Sequence, residues 1–275
     1  MAAKNVASDY DGRIRRAERL ATLHPFTQEV LAFYKQIAEF QKSLYARMIP
    51  DRKARAVDKN LPTLRQELKI EGLLPQFQDF LKLVAKNAPI TLADSAKQLS
   101  TQSPEAWAGI LQDYWTTSSR EDRPNAAFDQ FLPRAFLQPF AEHLASDRAE
   151  DETSAFTSLC PLCGARPLLG VLRPEGDGGK RFLLCSFCLR EWEFRRIFCA
   201  TCGEETETKL PVYVAEQFPY IRVEACETCK FYLRTIDLTK DGNAVPLVDD
   251  LAAIPLSLWA EEHGYSRAQP NLLGT

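Results

Sequence analysis

Cysteine is absent from the first 159 residues of this 275-residue chain, and histidine is scarce throughout. His24, His143 and His263 lie far apart and share no ligand or triad spacing, so each is expected to be a cap or a surface residue rather than a catalyst. No apolar run approaches the roughly 20 residues of a membrane-spanning helix, so no membrane insertion is expected. The opening MAAKNVASDYDGRIRRAERL has no apolar h-region, and no hydrophobic stretch follows Arg15-Arg16. No secretory signal is read there, and a cytoplasmic location is expected. Neither sign of charge dominates. Up to Ala155 there are 21 basic and 21 acidic residues, and beyond it 13 and 16, for a net charge of -3. Neither part is a polycation, which argues against nucleic acid as the main partner. The glycines at 176–179 (GDGG) lack the lysine and spacing of a phosphate loop, and there is no G-x-S-x-G elbow. These absences leave a chain with little catalytic equipment, and no enzyme activity is expected of it. Its 45% hydrophobic residues and its length suffice for a buried core and for more than one domain.

What the chain does have is eight cysteines, all in Cys-x-x-Cys pairs: Cys160/Cys163, Cys185/Cys188, Cys199/Cys202 and Cys226/Cys229. Two thiolates three residues apart can hold one metal ion from a tight turn, and two such turns complete a tetrahedral site. Four pairs therefore imply two sites of four thiolates. A reducing compartment favours ligands over disulfides. The pairs also encode a repeat. Cys160-Pro-Leu-Cys163-Gly164 matches Cys199-Ala-Thr-Cys202-Gly203, and each glycine can take the positive φ that turns backbone N–H groups toward sulfur. The other two pairs lack that glycine, and each follows an apolar, strand-like run. Pair separations are 21 residues (164–184) and 23 residues (203–225) within a unit, against 10 residues (189–198) between units. The simplest grouping is sequential: Cys160, Cys163, Cys185 and Cys188 in one site, and Cys199, Cys202, Cys226 and Cys229 in the other. Cross-bracing of alternate pairs is the competing arrangement. Four thiolates accept either iron or zinc, and they fill the tetrahedral shell, so metal-assisted hydrolysis is not expected. Thiol redox chemistry of the thioredoxin kind would want a βαβ frame that the pattern does not offer.

The cysteine-free part reads as helices. From Phe26 to Ile49 the apolar residues Val30, Phe33, Tyr34, Ile37, Phe40, Leu44, Tyr45 and Met48 form one stripe at helical spacing. Further helical patterns run from Pro62 to Leu73 or Leu74, then Phe77–Lys86, Leu92–Ser100, Glu105–Trp115 and Ala127–Ala145. Pro133 and Pro139 inside the last predict a kink or a break. The polar stretch Ser146–Thr157 reads as a linker. Beyond it, strands are expected at Phe182–Leu184, Tyr220–Ala225 and Phe231–Leu238, turns at 176–179 and at Lys240–Asn243, and a helix from Asp249 to Glu262 ending at Gly264, with Trp259 packed on its apolar side. Arg195-Arg196, among several glutamates, is expected to be solvated.

The helical first part followed by CPLCGARP, LLCSFCLREWEFRRIFCATCG, RVEACETCKFYLRTIDL and DDLAAIPLSLWAEEHGY resembles the formate dehydrogenase accessory protein FdhE family. The four-pair spacing, the Tyr-Leu-Arg-Thr-Ile-Asp strand and the Leu-Trp-Ala-Glu tail carry the resemblance. It implies a bacterial cytoplasmic protein required for active formate dehydrogenase, with rubredoxin-like sites holding iron on the eight cysteines. It further implies contact with the enzyme's catalytic subunit before that subunit is exported folded. The expected architecture is α+β: a helical domain at 1–150, two tandem rubredoxin-like or zinc-ribbon-like modules at 151–193 and 194–275, and a short C-terminal helix. Function then divides between an assembly factor, which the resemblance favours, and a nucleic-acid-binding zinc ribbon or a rubredoxin-like electron carrier.

Overall fold

The computed structural model describes residues 9–48, 64, 68–116, 126–146, 148, 156–176 and 178–274, the side chains of 126–129 excepted. Its first helix, α1 (Tyr10–Leu23), was not expected from the sequence. Asp9 caps it, accepting a hydrogen bond from the Gly12 amide at 2.7 Å. Its buried face is Tyr10, Arg13, Arg16, Ala17 and Leu20. Two arginines on that face hide the apolar stripe from a hydropathy reading.

A short 3-10 turn at Pro25–Thr27 leads into α2 (Gln28–Met48), so the expected helix starts slightly later than Phe26. The helices α3 (Leu74–Asn87), α4 (Ile90–Ser100) and α5 (Pro104–Thr116) follow where the periodicity placed them. The expected helix opening at Pro62 lies largely outside the described residues, which pick up with a 3-10 turn at Glu71–Leu73. The linker at 146–157 likewise falls mostly outside them.

Helix α6 (Ala126–Ser146) runs on through Pro133 and Pro139 without a break. A proline inside a helix costs about 3 kcal/mol or more, because it removes a hydrogen bond and crowds the preceding turn. Here burial outweighs that cost. Residues 131–142 are almost all sequestered, so α6 is the central helix, enclosed on every side.

The second part forms a mixed sheet, seven-stranded among the described residues, in the order β3-β2-β1-β6-β5-β4 with β7 beside β6. The strands are β1 (Pro167–Glu175), β2 (Gly178–Cys185), β3 (Glu191–Glu193), β4 (Val212–Ala215), β5 (Phe218–Ala225), β6 (Phe231–Asp237) and β7 (Ser266–Arg267). Glu175 and Gly178 are the last paired residues of the β1–β2 hairpin, and Gly176 beyond them takes φ +55°. β1, β2 and β3 form one antiparallel unit, and β4, β5 and β6 repeat it. The two units share one sheet, because β1 and β6 pair in parallel. Gly170 marks that seam: a Cβ there would run into the Thr235 hydroxyl on β6.

The expected C-terminal helix is two helices, α7 (Pro246–Ala252) and α8 (Ile254–Glu262), separated at Ala253. Pro255 supplies the reason, since it cannot donate to a carbonyl in the preceding turn. At the break the buried Ala253 carbonyl accepts from the Leu256 amide at 3.1 Å and from Arg234 Nη1 at 2.6 Å. Gly264 ends the helix at φ +80°, and Trp259 packs against Tyr213 with ring centroids 4.7 Å apart. One continuous apolar core joins the helices to the sheet. A buried ion pair also ties α1 to the C-terminal helices: Arg16 of α1 reaches Asp249 of α7 at 2.6 Å.

Candidate metal centres

Each Cys-x-x-Cys pair sits on a knuckle whose backbone is fixed by the same hydrogen bonds in both units. The Cys160 amide donates to the Ala165 carbonyl at 2.8 Å and the Gly164 amide to the Cys160 carbonyl at 2.9 Å; Cys199/Glu204 and Gly203/Cys199 repeat these at 2.9 and 3.0 Å. Gly164 and Gly203 adopt φ of +71° and +80°. The second knuckles match as well. The Cys185 amide donates to Arg190, the Cys226 amide to Phe231, and Leu189 and Lys230 take positive φ at equivalent places.

The fold gathers the thiols sequentially. Cys160, Cys163, Cys185 and Cys188 form one group and Cys199, Cys202, Cys226 and Cys229 the other, with all sulfurs of a group within 4.8 Å of one another. The cross-braced arrangement is not formed. None of the eight cysteines is joined in a disulfide. In the first group Cys160 Sγ lies 3.5 Å from Cys188 Sγ, and Cys163 Sγ 3.4 Å from Cys185 Sγ. In the second, Cys199–Cys229 and Cys202–Cys226 are 3.7 and 3.6 Å apart. Four sulfurs around a zinc ion at 2.3 Å stand about 3.8 Å apart, so both groups have the size a tetrahedral ion requires.

Electrostatics points the same way. Burial pushes the Cys185 and Cys188 thiols well above their ordinary range, with the neighbouring thiols adding to the shift. Several thiolates in so dry a place need a cation among them, and a bound dication reverses the shift. In the second group burial raises Cys202, opposed by the Glu204 backbone N–H, and raises Cys229 strongly, opposed by that of Phe231. At Cys226 burial is outweighed by the Cys229 and Thr228 amides, and its thiol is lowered. The positive-φ residues Gly203 and Lys230 precede two of these donors. Phe187 and Thr201 amides also donate to Cys185 and Cys199 Sγ, at 3.3 and 3.4 Å.

The surroundings of the two groups differ. The first is walled by the helices. Arg134 of α6 donates to the Ser186 carbonyl at 3.1 Å, and Phe187 stands edge-on to Tyr114 and Trp115 of α5. The second is braced by Glu204, which accepts from the Thr228 hydroxyl at 2.5 Å and the Thr206 amide at 2.9 Å and so ties its two knuckles together. Bonds from Thr206 and Thr228 draw the Glu204 carboxyl down to about 2. The sequence offered no signal for this brace, because Ala165 occupies the matching position in the first unit. Nor did it point to Arg134, which lies in the cysteine-free part.

The histidines stay apart from both groups. His24 caps the end of α1 and packs on Phe218, His143 meets Tyr45 edge-on, and His263 caps α8 against Trp259. Arg195 is exposed, lies over Phe156 and Phe198, and pairs with Glu205 at 3.6 Å. No helix of the described residues is long and apolar enough to cross a membrane.

Helices packed on a sheet that carries two duplicated four-thiol knuckle pairs define an α+β protein of the tandem cysteine-ribbon class. The family models described as "FdhE, central domain" and "FdhE, C-terminal domain" match residues 159–196 and 197–273. An FdhE homolog of Aquifex aeolicus is 26% identical over 95% of this chain and 94% of its own length, and one from Pseudomonas aeruginosa is 31% identical over 94% and 88%. The crystal structure of the FdhE protein from Pseudomonas aeruginosa superposes with a TM-score of 0.71 at 26% identity, covering 98% of this chain and 96% of that one. The chain belongs to the FdhE family.

Proposed function

We propose that this protein is a cytoplasmic accessory factor for formate dehydrogenase that binds the immature catalytic subunit and performs no turnover of its own. Residues 1–150 serve as its helical domain, and 151–193 and 194–275 as its two cysteine modules. Each group of four thiols holds one metal ion: Cys160, Cys163, Cys185 and Cys188 the first, Cys199, Cys202, Cys226 and Cys229 the second. Iron is the favoured ion and zinc the alternative. The observation that carries the reading is the match to FdhE proteins along nearly the whole chain, joined to two assembled thiol groups of tetrahedral size. Binding rather than catalysis fits the chemistry, since four thiolates leave a tetrahedral ion no open position for substrate or water.

The test is a capture experiment with tagged protein and the catalytic subunit of formate dehydrogenase, prepared with and without its cofactors. Capture of the immature form in preference to the finished enzyme is expected. Failure to retain either form would overturn the assignment of partner. Metal analysis with an absorption spectrum on anaerobically purified protein decides the ion. Two irons give visible charge-transfer bands bleached by dithionite; two zincs give a featureless spectrum.

A further inference from the structure

The two thiol groups are near copies in backbone and unlike in access, which makes each a control for the other. All four cysteines of the first are buried, whereas in the second Cys202 is exposed and Cys229 half-buried. The first is shut in by Phe187 against Tyr114 and Trp115, and by the bonds from Arg134 and Gln138 to the Ser186 carbonyl. In the second, Thr228 and Glu227, between Cys226 and Cys229, face solvent. A cleft of about 120 Å³ also borders that group, lined by Cys199 and Cys226 together with Arg196, Val212 and Phe231.

We infer that the second group is the site at which this protein's metal is loaded and exchanged, and that the first is a permanent structural centre. The inference rests on the metal-binding reading above. A closed four-thiolate ion exchanges when an incoming ligand reaches it and the coordination number rises for a moment. At a loaded site one bond would form from the metal to the incoming donor atom, the sulfur of a thiolate or a nitrogen of a chelator, and the bond to Cys202 would break. The freed Cys202 thiolate then takes a proton from water, and the oxidation state of the metal is unchanged. At the second site that ligand approaches past an exposed sulfur. At the first it must wait for Phe187 and its helical cover to lift, a local unfolding event with its own free-energy cost. The ligands that fit are soft and small: a free thiolate, a cysteine on an extended segment, or a pyridine-type chelator.

The test uses the full chain loaded with two zinc ions, challenged with 4-(2-pyridylazo)resorcinol while N-ethylmaleimide traps each freed thiol for mass spectrometry. Two phases differing by about tenfold or more are expected, with Cys202 and Cys229 labelled in the fast one and the first four cysteines only in the slow one. A Trp115→Ala variant, which thins the cover over Phe187, is expected to speed the slow phase alone. Release of both ions at one rate, or early labelling of Cys160 or Cys188, overturns the division of roles and leaves metal binding standing. A chain that takes up neither zinc nor iron overturns both.

Discussion

Gln41 of α2 donates from Nε2 to the carbonyl oxygen of Ala135 on α6, 2.7 Å away. That carbonyl is the one Pro139, four residues on, cannot reach, because proline has no amide hydrogen. A side chain from a neighbouring helix thus replaces the missing rung. Replacing Gln41 with leucine leaves a buried carbonyl unpaired, at a cost of about 1–3 kcal/mol. Urea denaturation should show a lower midpoint with the slope unchanged; an unaltered midpoint would refute the substitution of one bond for the other.

Gly170 lies where β1 meets β6, and any Cβ there meets the Thr235 side chain. Gly170→Ala is expected to destabilise the protein by about 1–3 kcal/mol through overpacking at the seam between the units. The Gly170→Ala/Thr235→Ala double variant, which removes the clashing hydroxyl, should recover part of the loss. Thermal melting of the single and double variants decides it.

Asp250 is fully buried between Arg234 at 2.8 Å and Arg267 at 2.8 Å, and Asn271 donates to it as well. Burial acts to raise its pKa, but the two guanidinium groups prevail and hold it below the ordinary value. Asp250→Asn leaves the buried Arg234 guanidinium without its counter-charge. The expected loss is about 3–5 kcal/mol, the usual effect of breaking one partner from a buried pair. Denaturant titration that finds less than about 1 kcal/mol would show the charge to be accommodated by the Ala253 carbonyl alone.

Glu142 of α6 accepts from Tyr10 at 2.9 Å and pairs with Arg13 at 2.7 Å, all out of water. Burial, opposed by Arg13 and Tyr10, pushes its carboxyl up to about 7. Its folded-state pKa therefore exceeds its unfolded one, so between these values the folded state binds the extra proton. Stability from this group is full below the ordinary carboxylate range and declines as pH rises to about 7. Unfolding free energies measured across that window should fall with pH, and Glu142→Gln should remove that part of the slope. An unchanged slope in the variant would show that Glu142 ionises normally.

Cys163→Ser is expected to empty the first site, because folding and structural metal binding are coupled. Metal content should fall from two ions per chain to one, with a lower melting temperature. Retention of both ions would exclude Cys163 as a ligand.

The first two places where the sequence misled share one physical cause. Helix α1 escaped notice because its buried face carries Arg13 and Arg16, charges held inside by Glu142 and Asp249 on segments far along the chain. The break offered at Pro133 and Pro139 did not develop, since packing and Gln41 offset the lost bonds. The single C-terminal helix became two at Pro255, a break the stripe of apolar residues obscured. Local pattern cannot report a distant counter-ion or a donor on another helix.

By itself the sequence determined the eight thiols, their two knuckle types, the duplicated unit and most of the helices, because these depend on spacing along the chain. Tertiary structure alone decided that the units fuse through β1 and β6 into one sheet. It also decided that the first thiol group lies under Arg134, Tyr114 and Trp115 while the second keeps Cys202 at the surface. Two sites alike in spacing become unlike in access because burial depends on what distant segments cover.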